Sequence, residues 1–176
     1  MTQESSVPPQ RKRGSKRKVF EGEEFSSTQG GYLPHELQCV LNALNLLLMP
    51  HMREVGVNIA QFRALQVIAV LQPLSIGELS RTIVIEHSVV SRIINQLVQR
   101  NLVEKIKRKS NARIVDVSLT PAGEELIAYI QPLAFAIQAD ALSVLDQHER
   151  KKFTEMMARI FKHITAPGYA GVLETM

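Results

Sequence analysis

Between His87 and Arg100 the stretch HSVVSRIINQLVQR carries residue types suited to reading a polyanion. At about 100° of helix rotation per residue, Ser88, Ser91, Arg92, Asn95, Gln96 and Gln99 share one face, and Val89, Val90, Ile93, Ile94, Leu97 and Val98 share the other. A solvated helix face is usually built from Glu and Lys, which favour both helix and solubility. Hydroxyls, amides and a guanidinium with no acid among them are the groups that hydrogen-bond to base edges and phosphates. An ordinary solvated face satisfies the same periodicity, so the rest of the chain has to decide. Charge adds to the case. Residues 87–113 hold seven basic groups and one acid, Glu104, whereas the remainder of residues 32–176 holds eight basic and twelve acidic groups. The net charge of +4 is modest, and it is the concentration of positive charge that suits a polyanion.

Other chemistry is sparse. The lone Cys39 stands beside Val40 and Leu41 with no base adjacent in sequence; it reads as a buried small apolar side chain, and a disulfide framework is excluded. Histidines 35, 51, 87, 148 and 163 show no ligand spacing, so no metal is expected. A Gly-rich phosphate loop and a G-x-S-x-G elbow are both missing, and neither an enzyme nor a cofactor is expected. The N-terminus has no apolar signal segment and no run of about 18 uninterrupted apolar residues occurs. The expectation is a soluble, cytoplasmic protein with no membrane partner.

The elements that position these groups follow from periodicity. Residues 1–31, rich in Ser, Gly, Pro and charge, read as a disordered basic tail whose RKRGSKRK run is either a DNA-touching arm or a solubilising segment. Leu37, Val40, Leu41, Leu44, Leu47 and Leu48 mark a first helix that Pro50 should end or kink. A second begins at Asn58, with Gln61 completing a capping box, buries Phe62, Leu65, Ile68, Ala69 and Leu71, and stops at Pro73. Ser75 and Glu78 form another box for a short helix to about Ile83, and the helix of residues 87–100 comes next. Residues 102–108 and 113–119 read as two strands joined by the turn KSNA. Thr120 as N-cap and Pro121 as first helical residue open a long helix, apolar almost all round as far as Leu145 and so expected to be buried on several sides. A last helix from about Gln147 to Ile164 carries Phe153, Met156, Met157, Ile160 and Phe161 as one stripe, and residues 167–176 form a C-terminal tail.

Short helices followed by a cationic hairpin describe a winged helix-turn-helix: a mainly α fold with a small β-hairpin wing, residues 58–119 being the DNA-binding region. Ser88, Ser91, Arg92, Asn95 and Gln96 then face double-stranded DNA, Lys109 and Arg113 reach phosphate or minor groove from the wing, and Lys107 and Arg108 add charge.

The segments QFRAL (61–65), PLSIGELS (73–80), SVVSRIINQL (88–97), RNLVEK (100–105) and RIVDVSLTPAG (113–123) together resemble the MarR family of bacterial transcriptional regulators, over about residues 34 to 165. Where that family usually has Asp, a spacer and Arg in the wing, this chain has Asn111, Ala112 and Arg113. The resemblance implies a homodimer on a pseudo-palindromic operator, repressing until a small-molecule effector binds. Residues 32–57 and 120–166 become the helical dimerisation region, with Leu37, Leu41, Phe153, Met156, Met157, Ile160 and Phe161 at the interface. The apolar stripe on the last helix and the all-round apolar helix before it ask independently for a partner surface that a small monomer cannot easily supply. The resemblance also implies an effector site between the dimer helices and the DNA-binding lobe, where His51, Arg53 and Arg63 stand among Met52 and Phe62; an aromatic carboxylate suits that set. Two alternatives are a redox-responsive repressor sensing through Cys39, as in relatives that resemble peroxide sensors, and an architectural DNA binder with no ligand.

Overall fold

The computed structural model describes residues 32–108 and 114–166. In chain order these form α1 (Leu33–Glu54), α2 (Ile59–Leu71), β1 (Leu74–Ser75), α3 (Ile76–Ile83), α4 (His87–Gln99), β2 (Val103–Lys107), β3 (Val115–Leu119), α5 (Pro121–Ala141), a 3-10 turn (Leu142–Val144) and α6 (Gln147–Ile164). Residues 1–40 and 41–176 are separate units. Of the first, the opening turns of α1 are described, and there Cys39 Sγ lies 3.5 Å from His35 Nε2.

Of the end or kink expected at Pro50, the end does not occur. α1 runs on to Glu54 because Leu48 and Met52, on either side of the proline, are buried in the core and hold the turn in which Pro50 lacks a donor. The helix ends at Gly56, whose φ of 68° is left-handed. The Val57 N–H donates to the Met52 carbonyl at 3.0 Å and the Gly56 N–H to that of Arg53 at 3.1 Å. Those paired bonds satisfy two terminal carbonyls, and Val57 is buried in the same cluster as Met52.

The capping boxes at Asn58 and Gln61 and at Ser75 and Glu78 both form in full. Phe62, Leu65 and Ile68 of α2 are buried, but Leu71, the helix's last residue, is exposed, beyond the last turn that the core reaches. Val84 turns left-handed, with φ 54°, and ends α3.

The strands are slightly shorter than the sequence implies, and there is a third. The sheet order is β1-β3-β2. β2 and β3 pair antiparallel from Val103↔Leu119 to Lys107↔Val115, and β1 adds Leu74↔Val117 and Ser75↔Asp116. Two residues are too few to show alternation, so β1 has no sequence signature. It fastens the wing to the start of α3.

The core gathers Leu65 and Ile68 of α2, Leu79 of α3, Val90, Ile94 and Leu97 of α4, Val103 and Val117 of the hairpin, and Ile130 of α5. α5 is not buried on several sides: its buried residues are Gly123, Ile127 and Ile130. Beyond Ile130, Leu133, Ala134 and Ile137 are only half-buried against the core, Phe135 is exposed, and the helix ends before Leu145. By length and composition alone, Pro121–Val144 is long and apolar enough to cross a membrane. Its first turns are instead built into the core of the hairpin and the short helices. α6 has no buried residue at all.

Candidate nucleic-acid interface

α4 sorts its side chains as an amphipathic helix should. Val90, Ile93, Ile94 and Leu97 are buried, while Ser88, Arg92, Asn95, Gln96 and Gln99 are exposed and Ser91 is half-buried. Val89, assigned to the apolar half from periodicity, is exposed, because it lies at the edge of that half, about 90° of helix rotation from the centre of the buried residues. The amides on the polar face are held. Asn95 Oδ1 accepts from Lys105 Nζ at 2.7 Å, and Gln96 Oε1 accepts from Gln61 Nε2 at 3.1 Å. At the far end of α4, Arg100 donates to the Gly56 carbonyl at 2.6 Å and to that of Val55 at 2.8 Å. This guanidinium therefore braces α4 against the turn after α1.

The wing base corrects one assignment. Arg108 was counted as adding charge toward DNA, but its Nε and Nη2 donors are taken up internally. Its Nη2 lies 2.7 Å from Asp116 Oδ1 and 2.9 Å from Glu78 Oε2, and its Nε lies 2.9 Å from Asp116 Oδ2. Asp116 is 6% exposed, and a carboxylate so placed needs a partner. Arg108 supplies it, and clamps β2, β3 and the cap of α3 together. Lys107 is exposed at the end of β2. Lys109, Arg113 and the turn between them lie outside the described residues.

Glu78 accepts from the Ser75 hydroxyl and the Ser75 N–H, both at 2.7 Å, and from Arg108. All three favour the carboxylate, and its pKa falls from the ordinary value of 4.5 to about 2. The Arg108 pKa is raised, first by Asp116 and then by Glu78. Because the folded pKa of Glu78 is depressed, its contribution to stability is present above pH 4.5 and is lost as pH falls toward 2. Glu78→Gln should therefore flatten the decline of melting temperature between those two pH values. Melting curves from pH 2 to 7 check this; equal slopes for the two proteins would count against the clamp.

The effector candidates separate. Met52 and Arg53 line a cavity of about 540 Å³ with Met49, Val57, Asn58, Ile59 and Ala60. Phe62 and Arg63 line a smaller one of about 200 Å³ with Leu44, Leu48, Ile59, Ala134 and Ile137. Ile59 borders both. His51 lines neither, its Nδ1 lying 3.9 Å from Glu54 Oε2 because helical spacing sets the two side by side. Tyr129 donates to the same Glu54 oxygen at 2.9 Å, and that carboxylate raises the phenol's pKa. Cys39 is half-buried rather than buried, and a base does stand beside it: His35, one helical turn back rather than adjacent in sequence. Among the described residues, no group of three or more His, Cys, Asp or Glu is placed to hold a metal ion.

Of the dimer candidates, Leu37 lies in the first unit and is exposed. In the second, Leu41 and Met157 are half-buried, and Phe153, Met156, Ile160 and Phe161 are exposed on α6.

Sequence reasoning counted Arg100 and Lys105 in the basic window but missed the bonds they make here, and it missed Gln61 and Asp116 as partners of Gln96 and Arg108. The cap at Gln61 was legible, but its reach to a partner 35 residues away was not.

A model of the MarR family matches residues 57–115. An uncharacterized HTH-type transcriptional regulator from Bacillus cereus is 28% identical over 123 residues, 69% of this chain and 82% of that protein. The HTH-type transcriptional repressor MdtR from Bacillus subtilis is 26% identical over 132 residues, 73% and 85% of the two chains. Among solved structures, a MarR family transcriptional regulator from Silicibacter pomeroyi superimposes with a TM-score of 0.69 at 26% identity, covering 78% of this chain and 92% of that one.

Proposed function

We propose that the chain is a DNA-binding transcriptional regulator of the MarR family, acting as a homodimeric repressor that leaves a pseudo-palindromic operator when a small-molecule effector binds. The observation that carries the reading is the polar face of α4. A helix that buries Val90, Ile93, Ile94 and Leu97 while exposing Arg92, Asn95 and Gln96 suits the major groove, with residues 58–119 as the DNA-binding region. Lys107, Lys109 and Arg113 give the wing its phosphate contacts. Residues 32–57 and 120–166 supply the dimerisation region, Leu37, Leu41, Met157 and the exposed apolar stripe of α6 meeting a second copy. The site of action is the bacterial cytoplasm, at the nucleoid.

For the effector, the cavity beside Arg53 is the better candidate of the two. Its walls are mostly apolar, it has the larger volume, and Arg53 offers a cation for a carboxylate. An aromatic carboxylate fits that chemistry.

The test is a binding-site selection. Asn95→Ala and Ser91→Ala should each relax preference at particular base pairs by about 1 to 3 kcal/mol, leaving the other positions unchanged. Unaltered preference in both variants would remove α4 from the recognition role. The redox alternative has one supporting observation, the His35 contact to Cys39; release of operator by peroxide in wild type but not in Cys39→Ser would put it in place of the effector reading.

A further inference from the structure

The amide of Gln96 lies on the polar face of α4, and its orientation is set from behind. Gln61 is only 7% exposed. Its side-chain oxygen accepts from the Asn58 backbone N–H at 3.0 Å, and its own backbone N–H donates to Asn58 Oδ1 at 2.9 Å. A backbone N–H can only donate, so turning the Gln61 amide over would set two donors against each other. Its Nε2 is therefore the atom left to meet α4, where it donates to Gln96 Oε1 at 3.1 Å. The same logic passes one residue on. With its oxygen engaged by Gln61, the Gln96 amide holds its NH2 away from Gln61, on the exposed side of the helix.

We infer that Gln61 is a specificity-determining residue: without touching DNA it fixes Gln96 as a hydrogen-bond donor, so that residue 96 reads an acceptor edge such as guanine O6 and N7 or thymine O4. This rests on α4 being the recognition helix. A free glutamine amide rotates by half a turn and accepts equally well from adenine N6 or cytosine N4. The capping box of α2 removes that freedom, which links the start of α2 to the base that α4 selects.

Gln61→Glu tests the idea. Glutamate is the residue that a capping box commonly carries at this position, and one of its oxygens still receives the Asn58 N–H. Its other oxygen faces Gln96 with an acceptor where there was a donor, so Gln96 must turn its NH2 inward and its oxygen outward. In binding-site selection, the wild type should enrich G or T at the position read by residue 96. Gln61→Glu should move that preference to A or C at the same position, by on the order of tenfold. Gln96→Ala should erase preference there and make Gln61→Glu silent in its background. A merely structural role for Gln61 would lower affinity for every sequence alike. That result, or a shift at positions that Gln96→Ala leaves unchanged, overturns the inference. If Gln61→Glu does not fold, Gln61→Met keeps the side-chain length and frees Gln96; it should broaden preference at that position, and a preference kept sharp overturns the inference equally. If Arg92→Ala, Asn95→Ala and Gln96→Ala all leave the wild-type preference intact, the assignment of α4 itself has failed, and the role of Gln61 falls with it.

Discussion

Ile160→Glu should convert the protein from dimer to monomer at micromolar concentration and weaken operator binding at least about a hundredfold. Ile160 is 42% exposed and Phe161 49% in the single chain, with Phe153 and Met156 beside them. A contiguous apolar stripe of that kind on a helix with no buried residue is unstable in water unless something covers it. A second copy is the economical cover, because a two-fold interface uses the same stripe twice. The same symmetry doubles the damage. Each glutamate meets the partner's apolar surface, and an unpaired buried carboxylate costs several kcal/mol. At about 1.4 kcal/mol per tenfold, two such costs more than cover the expected loss. Sedimentation or light scattering reads the assembly, and a titration against operator DNA reads the affinity. A wild-type monomer, or an Ile160→Glu dimer with undiminished affinity, would end the dimer reading.

What sequence could show here depended on range. Asn58 with Gln61, Ser75 with Glu78, and Thr120 with Pro121 lie within a few residues of each other, and all three helix starts form as their spacing implies. The faces of α4 were legible because burial follows a 3.6-residue period. Pro50 misled because a local rule about the missing donor was overridden by distant packing at Leu48 and Met52. Arg108 misled for a related reason. Its charge was visible, but nothing in KIKRK says that a buried Asp116 and the cap residue Glu78 converge on it. Gln61 reaching Gln96, Lys105 reaching Asn95 and Arg100 reaching Gly56 are likewise side-chain bonds between elements. Such bonds depend on how helices are set against one another, which periodicity does not encode. α5 marks the opposite limit. Its all-round apolar pattern implies burial on several sides with a partner surface supplying part of the cover, and in the single chain Gly123, Ile127 and Ile130 are buried while Leu126, Leu133, Ala134 and Ile137 are half-buried against the core.

Gly123→Ala should destabilise the fold by on the order of 3 kcal/mol, although the substitution adds one methyl group to a helix and improves its propensity. The first turn of α5 sits directly on the root of the wing. The Thr120 N–H donates to the Leu102 carbonyl at 3.2 Å, the Thr120 hydroxyl to the Asn101 carbonyl at 2.6 Å, and the Gly123 N–H to the Thr120 hydroxyl at 3.1 Å. A Cβ at residue 123 would lie 2.0 Å from the Leu102 oxygen and 3.0 Å from its carbonyl carbon. Those are backbone atoms, so no rotamer change relieves the overlap. Relief needs α5 to move away from β2 by an ångström or more, which breaks the Thr120 bonds and opens the core around Leu119 and Ile127. The propensity gain of about 1 kcal/mol is too small to offset this. The glycine in LTPAG is thus required by the close passage of a helix over a strand end rather than by a turn. Denaturant titration should show the loss as a lower midpoint, or the variant should fail to accumulate in soluble form. Ala122→Gly, an exposed change in the same turn, should cost no more than about 1 kcal/mol. A Gly123→Ala protein that unfolds at the wild-type denaturant concentration would mean that α5 does not rest on Leu102 in this way.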